Sequence, residues 1–486
     1  MAGELSLLLK EDLVQTITTA LGEISAMRHR IHGGEAELLH QVARMLDKQY
    51  PARLAALMAT RPAPQAELLA AAQRDAHFGT RIKQLVLEAV YGEPLAPPLR
   101  IVAMTEEAPL LLPAASVYAF VVDQLPNVVN ELYPLMIDAY VFSLERRVDV
   151  QAIGVHTSWL DSRGWATRAI VFDAETEALY ELDLPQPRRL DQAHFLCIAA
   201  QPHQIGSQTL QGQGIFVVNP YDKIQAADDK YLCYQMWSQS DVKTPDAVKL
   251  GEEETLDEHS FHEFMASLFP RFFPGKAEVI LLVQPNQGTE GRGTRAFTGP
   301  GDWPAFLEKN PGLFATVQEV AKYDDVLLRQ GVGNAMLCTD DIGTSYFDLR
   351  FNIIRGRAES GYLMQAPTGA IVSSPGAGGW IVEWKSGDPL PVVVQGQSHP
   401  LEIGGQAWQQ IVTMAERAFA CFPSLRMAGV DVRLEYTQGQ WIPWILDINP
   451  RPAGLAHSRY MHNREPGVTQ RLWTLDARID SRIALQ

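Results

Sequence analysis

Ala428-Gly-Val-Asp-Val-Arg-Leu-Glu435, Tyr436-Thr-Gln-Gly-Gln440 and Trp441-Ile-Pro-Trp-Ile-Leu-Asp-Ile-Asn-Pro-Arg-Pro452 read as two strands joined by a polar, Gly-containing turn. Side chains alternate between the faces of a strand, so Asp447 and Asn449 share one face. The register of the hairpin can bring Asp431 beside them. Two carboxylates and an amide oxygen suit Mg²⁺, which takes hard oxygen ligands and fills its other positions with water or phosphate. Arg451 would then stand next to the metal, where a guanidinium can bind a phosphoryl oxygen. A plain hairpin with a polar exposed face is the alternative for Asp-x-Asn alone. The Gly-Val-Asp before it and the Pro-Arg-Pro after it weigh against that.

Three segments upstream bear on the same chemistry. In Leu281-Leu-Val-Gln-Pro-Asn-Gln-Gly-Thr-Glu-Gly-Arg-Gly-Thr294 an apolar strand enters a loop with Gly288, Gly291 and Gly293. Such loops bring backbone N–H groups close to phosphate oxygens. It matches neither a P-loop nor a dinucleotide fingerprint, and a hairpin turn fits it equally well. In Phe347-Asp-Leu-Arg-Phe-Asn-Ile-Ile354, Asp348 and Arg350 share a face, either as a solvated pair or with Arg350 as an oxyanion clamp. Val217-Val-Asn-Pro220, Ala227-Asp-Asp-Lys230 and Lys243-Thr-Pro245 put Lys230 on a short helix near a strand end.

The order of these segments resembles the ATP-grasp superfamily, in particular its glutathione-synthetase-like carboxylate–amine ligases. The matching places are Asp229-Lys230, Thr244-Pro245, Gln284-Pro285 with Gly288 to Thr294, Leu328-Arg-Gln-Gly-Val332, Asp348-Leu-Arg350, Asp431, and Asp447-Ile-Asn449-Pro450. They span about residues 195–455.

The resemblance implies ATP and Mg²⁺ as cofactors. Lys230 and Gln284 would meet the nucleotide phosphates, under a lid formed by Gly288, Thr289, Glu290, Gly291, Arg292 and Gly293. Backbone groups of Arg329, Gln330 and Val332 would read adenine. Asp431, Asp447 and Asn449 would hold the metal, with Arg350 and Arg451 at the γ-phosphate and the acyl phosphate. The implied activity joins a small-molecule carboxylate to an amine through an acyl phosphate. A kinase acting on a hydroxyl and a nucleotide-binding protein without turnover remain open. Two site residues depart from the pattern: Gln284 replaces a lysine, removing a charge but keeping a donor, and Asp447 replaces a longer Glu.

The 486 residues are 46% hydrophobic and 20% charged, with 36 Gly and 31 Pro, which fits a globular chain of several domains. We expect an α/β fold in three parts. These are a helical extension over 1–95, without counterpart in compact family members, an α/β substrate domain over 96–220, and an ATP-grasp domain over 221–486 with a lid at about 245–325. Leu13, Ile17, Leu21 and Ile24 carry helical spacing in the extension, which reads as a packing element and leaves a homodimer open. From Leu99 onward the pattern alternates strand candidates with helices, the latter including Ser116–Val122 and Pro126–Tyr140. Forty-one basic against 57 acidic residues give a net charge of −16, which disfavours nucleic acid as a partner. No apolar run approaches the roughly 20 residues of a membrane span, and the N-terminus lacks a basic region before an apolar core. The four cysteines form no Cys-x-x-Cys pair and read as buried thiols in a reducing cytoplasm.

Overall fold

Ser116-Val-Tyr-Ala-Phe-Val-Val122 is rich in β-branched and aromatic residues, and in the computed structural model it is a strand, not the helix expected above. Its six residues Val117–Val122 are all buried. A segment covered on both faces carries no alternation to betray its period, so its length and β-branched content decide. The structure describes residues 101–451 apart from 104–115, 124–131, 133–134, 142, 145–149, 175–177, 197–199, 289–290, 292, 341, 375–378 and 383–387. The expected helical extension and the lid residues Thr289, Glu290 and Arg292 therefore lie outside the described residues.

The chain divides into two compact units at Val218/Asn219. In the first, β1 (Ile101–Ala103), β2 (Ser116–Val122), β3 (Val150–His156), β4 (Ala166–Asp173), β5 (Ala178–Arg188), β6 (Gln192–Phe195) and β7 (Phe216–Val218) form one sheet. Its order is β1-β5-β4-β3-β2-β6-β7. β2 runs parallel to β3 and β6, and β6 parallel to β7, while β4 is antiparallel to both neighbours. Helix α1 (Ala200–Gly212) links β6 to β7, as a parallel crossover requires. Of the helix expected over 126–140, residues 135–140 are helical.

The second unit begins with α2 (Tyr221–Asp228) and α3 (Lys230–Ser238). A smaller sheet of order β10-β9-β11-β8 follows, made of β8 (Ala247–Lys249), β9 (Glu278–Pro285), β10 (Arg295–Pro300) and β11 (Val326–Gln330). Helices α4 (Glu252–Leu256), α5 (Glu258–Phe272), α6 (Trp303–Lys309) and α7 (Leu313–Ala321) belong to this part. Phe261, Phe269, Phe306 and Val317 bury one face of the sheet through Leu281, Val283 and Leu328. β9 and β10 pair antiparallel from Val283–Arg295 outward. The Gly-rich segment therefore connects the two strands of a hairpin, one of the two readings the sequence left open.

The larger sheet holds β12 (Ala335–Thr339), β13 (Gly343–Ile354), β14 (Arg357–Gln365), β15 (Trp380–Val382), β16 (Val392–Val394), β17 (Gln397–Ser398), β18 (Met427–Thr437) and β19 (Gln440–Asn449). The long β13 is shared: its first part pairs with β12 and its second with β18. Helix α8 (Gln406–Ala420) lays Ile411, Ala415, Ala418 and Phe419 into a core with Val430, Val432, Ile445 and Ile448. Two tight hairpins set the register. Arg355-Gly356 and Gln438-Gly439 connect paired strand ends with positive φ at both residues, the turn whose twist matches that of the strands.

Asn219 staples the ends of the last hairpin. It sits in the left-handed region at φ 50° and is 3% exposed. Its Nδ2 donates to Met427 O (2.6 Å) and Pro450 O (2.7 Å), and its Oδ1 accepts from Arg426 N (2.8 Å). Asn219→Ala strands two buried carbonyls and an N–H and adds strain from the positive φ. We expect a loss of at least ~2 kcal/mol in urea unfolding; a loss below ~0.5 kcal/mol would show that the staple contributes nothing.

Candidate active site

Alternation along β13 sends Phe347, Leu349, Phe351 and Ile353 into the core and Asp348, Arg350 and Asn352 to the opposite face. Register then lines up rows across four strands. Tyr362, Arg350, Asp431 and Asp447 are matched on β14, β13, β18 and β19, and Ser360, Asn352, Gly429 and Asn449 form the next row. The period-two reading of the sequence thus places Asp431 beside Asp447, as the hairpin suggested.

Charge pairing across these rows differs from the simple Asp348–Arg350 pair. Arg350 donates from Nε to Asp431 Oδ1 and from Nη2 to Oδ2, both at 2.6 Å, and from Nη1 to the Tyr362 hydroxyl at 3.1 Å. Burial works against its charge, but Asp431 and Tyr362 outweigh that and hold the guanidinium well above its usual range. Burial raises the Asp431 carboxyl, and the Arg350 charge opposes it. Asp348 pairs instead with Arg433, through Nε (2.7 Å) and Nη2 (2.8 Å), and also accepts from the Ser373 hydroxyl. Arg433 Nη2 reaches Ile371 O at 2.8 Å and so ties residues 371–373 to this face. Arg433 escaped the sequence reading, although its spacing of two from Asp431 places it on the same face.

A second set of groups gathers at the end of β19. Asp228, at the C-terminus of α2, accepts from Arg451 Nη2 at 3.0 Å. Burial raises the Asp228 carboxyl, Arg451 and Lys230 lower it, and Asp447 raises it further. Asp228 was passed over because Asp-Asp-Lys drew attention only to its lysine. Lys230 begins α3, whose cap Asp229 accepts from Leu232 N at 2.8 Å. Asn286 anchors this helix start: its O accepts from Lys230 N (3.2 Å) and its Oδ1 from Tyr231 N (2.9 Å). The Lys230 ammonium donates to Gly288 O in the Gly-rich loop. Lys230 and that loop, far apart in sequence, are therefore neighbours.

Gln284 and Leu282 share a face of β9, and Arg329 lies opposite Leu282 on β11. Gln284 is 6% exposed and, among the described residues, its Nε2 has no hydrogen-bond partner, a donor left idle in a buried position. Arg329 turns its side chain toward β19, donating to Leu446 O at 2.5 Å. Gln330 N–H is taken by Asp246 O (2.9 Å) and Gly331 N–H by Ile280 O (2.7 Å), while Val332 lies in the link to β12.

No family model matches the chain, and no curated protein matches it. Solved structures similar to it include a D-alanine–D-alanine ligase from Bacillus anthracis, at 11% identity and TM-score 0.44, covering 77% of this chain and all of that one. The ATP-grasp ligase PsnB complexed with a minimal precursor is similar at 13% identity and TM-score 0.41, covering 76% and 100%. The VanG D-Ala:D-Ser ligase from Enterococcus faecalis is similar at 14% identity and TM-score 0.41, covering 76% and 99%. Likeness at this level does not assign an activity; the side chains must.

Among the described residues no group of three or more His, Cys, Asp or Glu side chains could hold a metal. Both Asp431 oxygens are engaged by Arg350. Asp447 accepts only from the neighbouring Ile448 N–H (3.0 Å), and Asn449 uses its Nδ2 toward Asp431 (3.4 Å), which leaves its Oδ1 available. Two hard oxygen donors on one strand face fit Mg²⁺, which draws its remaining ligands from water and phosphate. Among the described residues no helix is long and apolar enough to cross a membrane.

Proposed function

We propose that the protein is an ATP- and Mg²⁺-dependent carboxylate–amine ligase of the ATP-grasp type. The observation that carries this reading is that Lys230, Arg451 and Asp447 all act on the Asp228 carboxyl, while Arg350 and Asn449 meet on Asp431, which the strand register sets beside Asp447. Such a site neutralises a triphosphate.

Asp447 and Asn449 would hold Mg²⁺, with Asp431 orienting Arg350 rather than serving as the third ligand. The metal supplies charge neutralisation on the phosphate oxygens. Lys230 and the idle amide of Gln284 bind phosphates, and backbone at Gln330 and Val332 meets adenine. Gly288, Gly291 and Gly293 line the phosphate side of the loop. Arg350 uses three of its N–H groups on Asp431 and Tyr362 and keeps others for an oxyanion, and Arg451 would add its charge at the acyl phosphate. A substrate carboxylate oxygen attacks the γ-phosphorus, the bond to ADP breaks, and ADP leaves. The amine nitrogen then attacks the acyl carbon, inorganic phosphate departs, and the nitrogen releases a proton. These side chains act by positioning and charge, and no nucleophile from the protein is required.

ADP release measured with and without a panel of small carboxylates and amines tests this. Amine-dependent ADP supports the ligase. A stable phosphorylated product without amine would replace it by a kinase, and tight ATP binding without ADP by a nucleotide-binding protein.

Gln284 supplies a sharper test of the phosphate site. A lysine there places a full charge where an amide now sits, and charge-assisted hydrogen bonds are about twice as strong as neutral ones. Gln284→Lys should tighten binding of a non-hydrolysable ATP analogue several-fold, on the order of 1 kcal/mol. Gln284→Leu should weaken it. Equal affinities of the three proteins in calorimetric titration would remove this strand from the phosphate site.

A further inference from the structure

Arg329 carries a buried charge with no carboxylate bonded to it. It is 6% exposed, and every partner is neutral: Leu446 O (2.5 Å), Ile445 O (3.3 Å) and Thr244 Oγ1 (3.2 Å). Among the described residues its Nε has no partner. Burial lowers it to about 10, with Asp447 opposing that loss, so it remains a cation at neutral pH. A buried arginine bonded only to carbonyls and a hydroxyl is costly to keep. Its place in the fold suggests what it is kept for.

The carbonyls that Arg329 holds belong to an irregularity in β19. Pairing runs Asp431–Asp447 and then Val432–Ile445, so Leu446 is the extra residue of a β-bulge. Bulges turn the strand and re-aim neighbouring side chains. Here the next residue is Asp447. Without the bulge, the alternation that sends Ile445 into the core would send Asp447 there as well, since the two are separated by two positions. The bulge shifts the phase, so that Ile445 and Ile448 both face the core while Asp447 and Asn449 face the site.

Contacts from outside the sheet pin Leu446 and the Ile445 that precedes it. Arg329 reaches Leu446 from β11, the Thr244 hydroxyl donates to Ile445 O at 3.0 Å, and Ile445 N donates to Lys243 O at 2.8 Å. Thr244 Oγ1 thus accepts from Arg329 and donates to the same carbonyl that Arg329 touches.

We propose that Arg329, seconded by Thr244, is a positioning residue that holds the Leu446 bulge and thereby aims Asp447 out of the core and into the site. The proposal rests on the reading of Asp447 as a metal ligand, but its central claim concerns backbone geometry and can be tested without ligand. Because β11 runs directly into residues 330–332, the arginine also makes the strand that ends at the adenine side part of the support for the metal side.

Two variants of the full chain test it. Arg329→Lys keeps a cation but loses the fork that spans both carbonyls and the hydroxyl. Thr244→Val keeps volume and removes only the hydroxyl. Hydrogen exchange on the ligand-free protein, read at Leu446–Ile448, should accelerate by about 10-fold or more in Arg329→Lys and a few-fold in Thr244→Val, while protection of α8 and β13 is unchanged. Mn²⁺ affinity, measured by titration in the presence of a non-hydrolysable ATP analogue, should fall by about 10-fold in Arg329→Lys, the scale for residues that orient a metal ligand. If Arg329→Lys does not fold, Thr244→Val decides alone by the same readouts. Unchanged exchange at Leu446–Ile448 in the folded variants overturns the proposal. Altered exchange with unchanged Mn²⁺ affinity, in a protein whose wild type binds Mn²⁺, overturns the aiming of Asp447. Absence of Mn²⁺ and nucleotide binding in the wild type would instead refute the functional reading and leave the bulge result standing.

Discussion

If the proposed function holds, Asp447→Asn should lower Mg²⁺-dependent ATP turnover more than about 100-fold, beyond the usual cost of disturbing a residue that only supports a ligand, and leave the fold intact. The side chain makes one protein hydrogen bond, accepted from Ile448 N–H, and an amide oxygen can accept it equally well. What the substitution removes is the negative charge a divalent cation needs. Asn449→Ala should act in the same direction, since among the described residues its side chain bonds only to Asp431, by a long contact on which little stability depends. Steady-state ADP release across a Mg²⁺ titration, with circular dichroism as the folding control, is the measurement. Wild-type turnover in both variants would remove the metal from this strand.

Arg350→Ala has the largest expected effect on stability, about 3–5 kcal/mol, the usual cost of leaving one member of a buried ion pair behind. Arg350 and Asp431 are nearly enclosed, with side-chain exposures of 12% and 11%. With the guanidinium gone, the burial that raises the Asp431 carboxyl acts unopposed. A carboxyl whose folded pKa lies above its unfolded value of about 3.9 binds its proton more tightly when folded. The variant should therefore gain relative stability on acidification and lose it as pH rises through the raised folded value, the reverse of acid denaturation driven by paired carboxylates. Arg350→Met combined with Asp431→Leu should recover most of the loss while abolishing turnover, because apolar residues of similar size replace buried ion pairs at little cost. Urea unfolding between pH 4 and 8 checks both statements. A single variant within ~1 kcal/mol of wild type, with no pH trend of this sign, would mean that water reaches Asp431 freely.

The strands of the last hairpin, the shared face of Asp447 and Asn449 and the neighbourhood of Asp431 were all legible in the sequence, because alternation is a local property of a strand and a Gln-Gly turn sets register over the few residues beside it. Ser116–Val122 was misread because a strand buried on both faces shows no period. Tertiary structure alone decided the rest. Which carboxylate each arginine takes depends on how β13 lies against β18: Arg350 meets Asp431 and Arg433 meets Asp348, while the neighbours in sequence stay apart. The meeting of Asp228 with Arg451, and of Lys230 with Gly288, joins segments with no local signal in common. Arg329 shows the difference most clearly. The family resemblance implies an adenine-side role for its backbone, and nothing local indicates that its guanidinium crosses to Leu446 in β19. A strand's period says which face a side chain takes, but what waits on that face is set by elements that the chain brings there from 58 to 223 residues away.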